Sequence, residues 1–127
     1  MEYSDSLKKN NEFQRVYRKG TSQANRYLVM YVLENHDRHM ENRLGISVSK
    51  KVGNSVVRHR VTRLIRESYR LNERSFRQGL DIVVVARPNA KDKSYQEIES
   101  ALMHLAGRMK IRREAELHVE ESKKVEE

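Results

Sequence analysis

The chain has 127 residues, 37% of them apolar, and a formal charge of +8 from 26 Lys or Arg against 18 Asp or Glu. That length suits one domain with a modest core, and the lack of cysteine excludes disulfide scaffolds, thiolate metal sites and thiol nucleophiles. No apolar run approaches the length of a membrane span and no export signal opens the sequence, so a soluble cytoplasmic protein without membrane association is expected.

The first predicted element is a short helix that begins near Asn10 or Asn11, both good caps, and ends at Gly20, which suits the left-handed position after a helix. Phe13, Val16 and Tyr17 share one of its faces. The run RYLVMYVL, Arg26 to Leu33, is rich in β-branched and aromatic residues and apolar on both parities, which predicts a central strand. A polar turn follows from His36 to Asn42. Arg43 to Ser49 then alternates, with Leu44, Ile46 and Val48 on one side and Gly45, Ser47 and Ser49 on the other, a face of small residues open to a ligand.

After Lys50 and Lys51, Gly53 and Asn54 supply a turn and a cap for a helix expected to run to about Arg74. At about 100° per residue, Val57, Val61, Leu64, Ile65 and Leu71 fall on one side of it, and Arg63, Arg66, Arg70, Arg74 and Arg77 gather opposite. Leu80 to Ala86 predicts a buried strand stopped by Pro88. Ser94 with Glu97 makes a capping box for a last helix whose apolar stripe is Ile98, Ala101, Leu102, Leu105 and Met109. From Ile111 the stripe fades, and residues 111–127 form a charged tail, a helical extension or disordered, with no function assigned. The order helix, strands, helix, strand, helix predicts one α+β domain over residues 1–110, with helices packed on a small sheet.

Charge is concentrated where it can bind. Lys50 to Arg77 holds nine Lys or Arg against Glu67 and Glu73, so +7 of the +8 lies there. Clustering of this kind suits a polyanion, because each phosphate neutralised releases counterions. The helix also begins at this segment, where unpaired N–H groups and a positive dipole end favour an anion, beside Lys50, Lys51, Arg58 and Arg60. Arginine can hold phosphate oxygens through two parallel bonds or stack on a base. A solvated helix face that only maintains solubility is the alternative.

Phe13, Tyr17 and Tyr31 form a second set. Core packing of helix on sheet accounts for Phe13, whereas the tyrosines beside a small-residue strand face suggest a cleft on which unpaired bases stack. His36, Asp37 and His39, with Glu41 adjacent, lie in a turn that fixes no ligand spacing, so no metal site is assigned. His59 sits between Arg58 and Arg60, where it can hydrogen-bond to RNA or equally point into solvent; His104 and His118 read as helix-surface residues. No Ser-His-Asp order, phosphate-cradling glycine loop or carboxylate pair is present, so no active site is assigned to the chain.

SVSKKVGNSVVRHRVTRLIRE, Ser47 to Glu67, resembles the signature of the bacterial ribonuclease P protein subunit. NEFQRVYRKGTSQANRYLVMYVL and DIVVVARPNA resemble that family's N-terminal region and its last strand with the following turn. The resemblance implies a two-layer sandwich with a small mixed sheet and a left-handed βαβ crossover, where the general rule favours the right hand. It implies a protein that assists a catalytic RNA in the endonucleolytic removal of the 5′ leader from precursor tRNA, with Mg2+ held mainly by the RNA and no protein partner required. The catalytic RNA would meet Lys51, Arg58, Arg60, Arg63 and Arg66, flanked by Lys50, His59 and Arg70, and the leader would meet Phe13, Tyr17 and Tyr31. The sequence departs from the family pattern at His59, where Asn is usual, and at Thr62, where Lys or Arg is common. Alternatives of other classes are a ribosomal or other structural RNA-binding protein and a stand-alone metal-dependent nuclease.

Overall fold

The computed structural model describes residues 1, 4–35 and 41–113. Its elements in chain order are β1 (Ser4–Ser6), α1 (Asn10–Lys19), β2 (Thr21–Ala24), β3 (Leu28–Glu34), β4 (Asn42–Ser47), α2 (Ser55–Leu71), β5 (Leu80–Ala86) and α3 (Tyr95–Arg108), with short 3-10 turns at Glu73–Ser75 and Pro88–Ala90. The strands form one sheet in the order β1-β4-β5-β3-β2. β4 is parallel to β1 and β5, while β3 is antiparallel to β5 and β2. The sheet is therefore mixed, and α2 joins two adjacent parallel strands in the βαβ unit that the resemblance implies.

Strand alternation divides the core in two. Met30, Val32, Ile82 and Val84 point to one face, where Val61 and Ile65 of α2 and Ile98, Leu102 and Leu105 of α3 cover them. Tyr31, Leu33, Val83 and Val85 point to the other, against Leu7 and the Phe13, Val16 and Tyr17 side of α1. β5 is packed on both faces, which is why its sequence is a continuous apolar run.

Two short edge strands, β1 and β2, were not foreseen, because Ser4–Ser6 and Thr21–Ala24 carry no apolar alternation and are held by backbone pairing. The cap of α1 is neither Asn10 nor Asn11 but Lys9, and Glu12 in the first turn reaches back to it, its Oε1 accepting from the backbone N–H of Lys9 at 3.0 Å and of Lys8 at 3.2 Å. Gly20 is not left-handed: its φ is −82°. The requirement there is space, since a Cβ would lie 2.6 Å from the Val32 carbonyl oxygen.

α2 ends at Leu71, before the expected Arg74, and Leu71 is 60% exposed. The buried stripe continues instead through Ser68 and Tyr69, whose hydroxyls are accommodated by the Leu64 carbonyl (2.7 Å) and the Ser4 hydroxyl (2.8 Å). Ile111, expected to lie past the apolar stripe, is buried, and Arg113 N–H donates to the Ser75 carbonyl at 2.8 Å. His36, Asp37 and His39, and residues 114–127 of the tail with His118, lie outside the described residues.

Asn54 caps α2 as expected, accepting from Val57 N–H at 3.0 Å. Asn54→Ala should lower stability by about 1 kcal/mol, read as a shift in denaturant midpoint at unchanged slope.

Candidate nucleic-acid interface

Asn54 caps the start of α2, the positive end of the helix dipole, and the exposed Lys50 and Lys51 precede it in the chain. His59, Arg60, Arg63 and Arg66 are exposed along the same half of the helix. Two adjoining grooves run here. One of about 590 Å³ lies over Ser55, Val56, His59, Arg63 and Arg66. The other, of about 400 Å³, lies between α2 and the β4 end, against Ile46, Val48 and Arg58. β1 pairs only with Asn42, Arg43 and Leu44, so this end of β4 is not covered by a strand on that side.

Arg58 is half-buried at the edge of the second groove, and its Nε is buried without a hydrogen-bond partner. A buried donor left in that condition is costly, and an anionic oxygen entering the groove would satisfy it. Thr62, in contrast, turns its hydroxyl back to the Arg58 carbonyl at 2.8 Å.

The arginine ladder is not uniform. Arg60 Nη2 donates to the Lys93 carbonyl at 2.9 Å, which ties α2 to the loop before α3. Arg70 is paired with Glu67, Nε to Oε2 at 2.6 Å and Nη2 to Oε1 at 3.1 Å, and this guanidinium holds the Glu67 carboxyl below its ordinary range. Arg74 falls in the 3-10 turn, and Arg77 approaches Glu34 at 3.5 Å. Only the first half of the predicted ladder thus forms one open helix face.

The aromatic set does come together, on the opposite face of the sheet. Tyr17 meets Tyr31 edge to face at a centroid distance of 4.8 Å, and Phe13 stands 6.4 Å from Tyr17. All three are partly buried. Burial pushes the Tyr17 phenol up, and the Ser47 side chain partly offsets the rise. The small-residue strand face is narrower than expected, because Gly45 is buried beneath Phe13: a Cβ there would lie 2.7 Å from the ring Cζ. Phe13 takes the place of the missing side chain, and Ser47 is left beside the tyrosines.

What fixes α1 over this cleft is an ion network that pattern reading passed over. Arg43 donates from Nε and Nη2 to Asp81 at 2.9 and 2.6 Å and from Nη1 to Glu12 at 2.6 Å. Asn35 completes it, donating to Asp81 Oδ1 at 3.0 Å. One carboxylate among the valines of LDIVVVA was the available signal, since a charge in a strand buried on both faces requires a partner.

Among the described residues, no group of three or more His, Asp or Glu is placed to hold a metal ion, and no helix is long and apolar enough to cross a membrane.

A family profile described as Ribonuclease P matches residues 1–110. The ribonuclease P protein component of Lachnoclostridium phytofermentans is 64% identical over 108 residues, covering 85% of this chain and 91% of that protein. That of Alkaliphilus metalliredigens is 54% identical over 111 residues, covering 87% and 98%. The solved RNase P protein of Staphylococcus aureus aligns with a TM-score of 0.77 at 42% identity, over 85% of this chain and 97% of that one. The RNase P protein of Thermotoga maritima gives 0.74 at 28% identity, over 82% and 96%.

Proposed function

The chain belongs to the ribonuclease P protein family, and from that premise we infer how its two surfaces divide between catalytic RNA and substrate. As the protein component of ribonuclease P, it serves in the holoenzyme that cleaves tRNA precursors at the 5′ end. The open half of α2, with Lys50, Lys51, Arg58, His59, Arg60, Arg63 and Arg66, receives the catalytic RNA. Arg70, neutralised by Glu67, is a marginal member of that set. Phe13, Tyr17 and Tyr31 receive the single-stranded leader. The observation that supports the division is that α1 and α2 lie on opposite faces of one sheet, one presenting rings and the other guanidinium groups. Stacking on rings suits unpaired bases of any sequence, and fixed cations suit a folded phosphate backbone.

The RNA carries the hydrolysis in this reading, and no side chain is assigned to the reacting bond. Mg2+ belongs with the RNA in this reading, as the resemblance implies. The site of action is the cytoplasm, where precursor tRNA is found. Family membership favours this role over a ribosomal or other structural RNA-binding protein.

Cleavage of precursor tRNA by the catalytic RNA at low Mg2+, with and without the chain, is the direct test. The chain should raise both rate and affinity for leader-bearing substrate; cutting by the chain alone, or no effect on either quantity, overturns the reading. Within that assay, Arg63→Ala and Arg66→Ala should each reduce the salt slope of catalytic-RNA binding by about 1. Arg70→Ala should reduce it by less, because its charge is already paired.

A further inference from the structure

On the α3 side of the molecule the β2–β3 turn and α3 border an open recess of about 450 Å³, lined by Arg26, Tyr27, Gln96, Glu97, Ser100 and His104 among others. It is preformed. Asn25 Nδ2 donates to the Ala101 carbonyl at 2.9 Å, and its Oδ1 accepts from Leu28 N–H at 3.0 Å and Tyr27 N–H at 3.2 Å, so the turn is pinned to the helix.

The rim is basic. Lys93 Nζ stands 5.2 Å from the centroid of the Tyr27 ring, Arg87 Nη1 donates to the Asn25 carbonyl at 2.8 Å, and Arg26 is exposed. This rim is continuous with α2, because Arg60 donates to the Lys93 carbonyl. A path of contacts therefore leads from the arginine face through Lys93 to Tyr27.

Resting on the assignment of α2 to the catalytic RNA, we propose that this recess binds one unpaired nucleotide of that RNA, its base beside the Tyr27 ring and its phosphate on Arg26 and Lys93. The Gln96 amide and the Ser100 hydroxyl supply hydrogen bonds for the base edge. Glu97, tethered by Ser94 N–H and Oγ at 3.1 Å each, also borders the recess. Its carboxylate repels phosphate but accepts from an exocyclic amine, so adenine, cytosine or guanine fits better than uracil. The leader is the less suitable occupant, since α1 and its cleft lie across the sheet.

The chain has no cysteine, so Ser100→Cys gives a unique attachment point for a photo-crosslinker in the reconstituted holoenzyme with precursor tRNA. Crosslinking should fall on an unpaired, amine-bearing nucleotide of the catalytic RNA. Tyr27→Leu should weaken catalytic-RNA binding roughly tenfold. Gln96→Ala, at an exposed helix position that leaves the fold intact, should weaken it about threefold. His59→Cys carrying the same probe separates the two ideas. If it crosslinks to the catalytic RNA while Ser100→Cys labels nothing, or labels only precursor tRNA, the recess proposal is overturned and the α2 assignment stands. If neither position labels the catalytic RNA, both are overturned.

Discussion

Asp81→Ala is expected to lower folding stability by about 3–5 kcal/mol, the largest effect of any single substitution considered for this chain. Asp81 is 1% exposed and accepts two bonds from the Arg43 guanidinium and one from Asn35. Removing the carboxylate leaves Arg43, with a side chain 13% exposed, only Glu12 as a partner among the described residues. Asp81 supplies the main cause by which the guanidinium's proton affinity is raised above the ordinary arginine range. The double change Arg43→Leu with Asp81→Leu should recover much of the loss, since a well-packed apolar pair replaces a desolvated ionic one. Denaturant titration of the three proteins decides this, and a shift of under about 1 kcal/mol for Asp81→Ala alone would contradict it. Acid should loosen the same corner. The Lys9 N–H, then the Lys8 N–H and Arg43, hold the Glu12 carboxyl below its ordinary range against the opposing effect of burial. A depressed carboxylate contributes stability above the ordinary carboxylate range and loses it as pH falls through the depressed value, so the tether on α1 weakens on acidification.

The second large effect concerns the cleft. Tyr17→Ala should weaken binding of leader-bearing precursor tRNA by roughly 1–3 kcal/mol, with little change in salt dependence, because a stacking surface is lost and no cation is removed. Gly45→Val should give the same selectivity without replacing an aromatic residue, because even the Cβ of a side chain there would meet Phe13 Cε2 at 2.8 Å and Cζ at 2.7 Å and displace that ring. Binding to leader-bearing and leaderless substrates is the measurement. Equal losses on both would place the aromatic residues in packing alone and remove the leader assignment.

Where burial imposes a period, the chain was legible before its structure. β5 was bounded to the residue, the cap of α2 was identified at Asn54, and the capping box of α3 at Ser94 and Glu97 is made as expected. Elements held by other means escaped notice. β1 and β2 are polar edges fixed by backbone pairing, which leaves no apolar pattern. α2 was drawn too long because arginines at helical spacing continue past Leu71, but there Asn72 and the Glu73–Ser75 turn redirect the chain so that Phe76 can enter the core. The aromatic set could be named from residue type, whereas its seating on Gly45 and its tether through Arg43 are tertiary facts. Likewise Arg70 belongs to the ladder by spacing and to Glu67 by geometry.

The sheet order has a consequence for how the molecule comes into being. β5 is the shared neighbour of β4 and β3, so the chain made before Leu80 contains α1, α2 and four strands but lacks the strand that joins them. Leu28 must wait for Ala86, and Arg43 for Asp81, before either pairing exists. Non-local pairings of this kind defer their reward until the loop between partners has closed, which makes assembly slow and cooperative. During synthesis neither the cleft nor the arginine face is set against a finished sheet. Both wait on the same late insertion, so a ribosome-bound fragment ending before Leu80 should have neither surface in place, and the arginine face should wait further for α3, whose Ile98, Leu102 and Leu105 complete the core beneath α2.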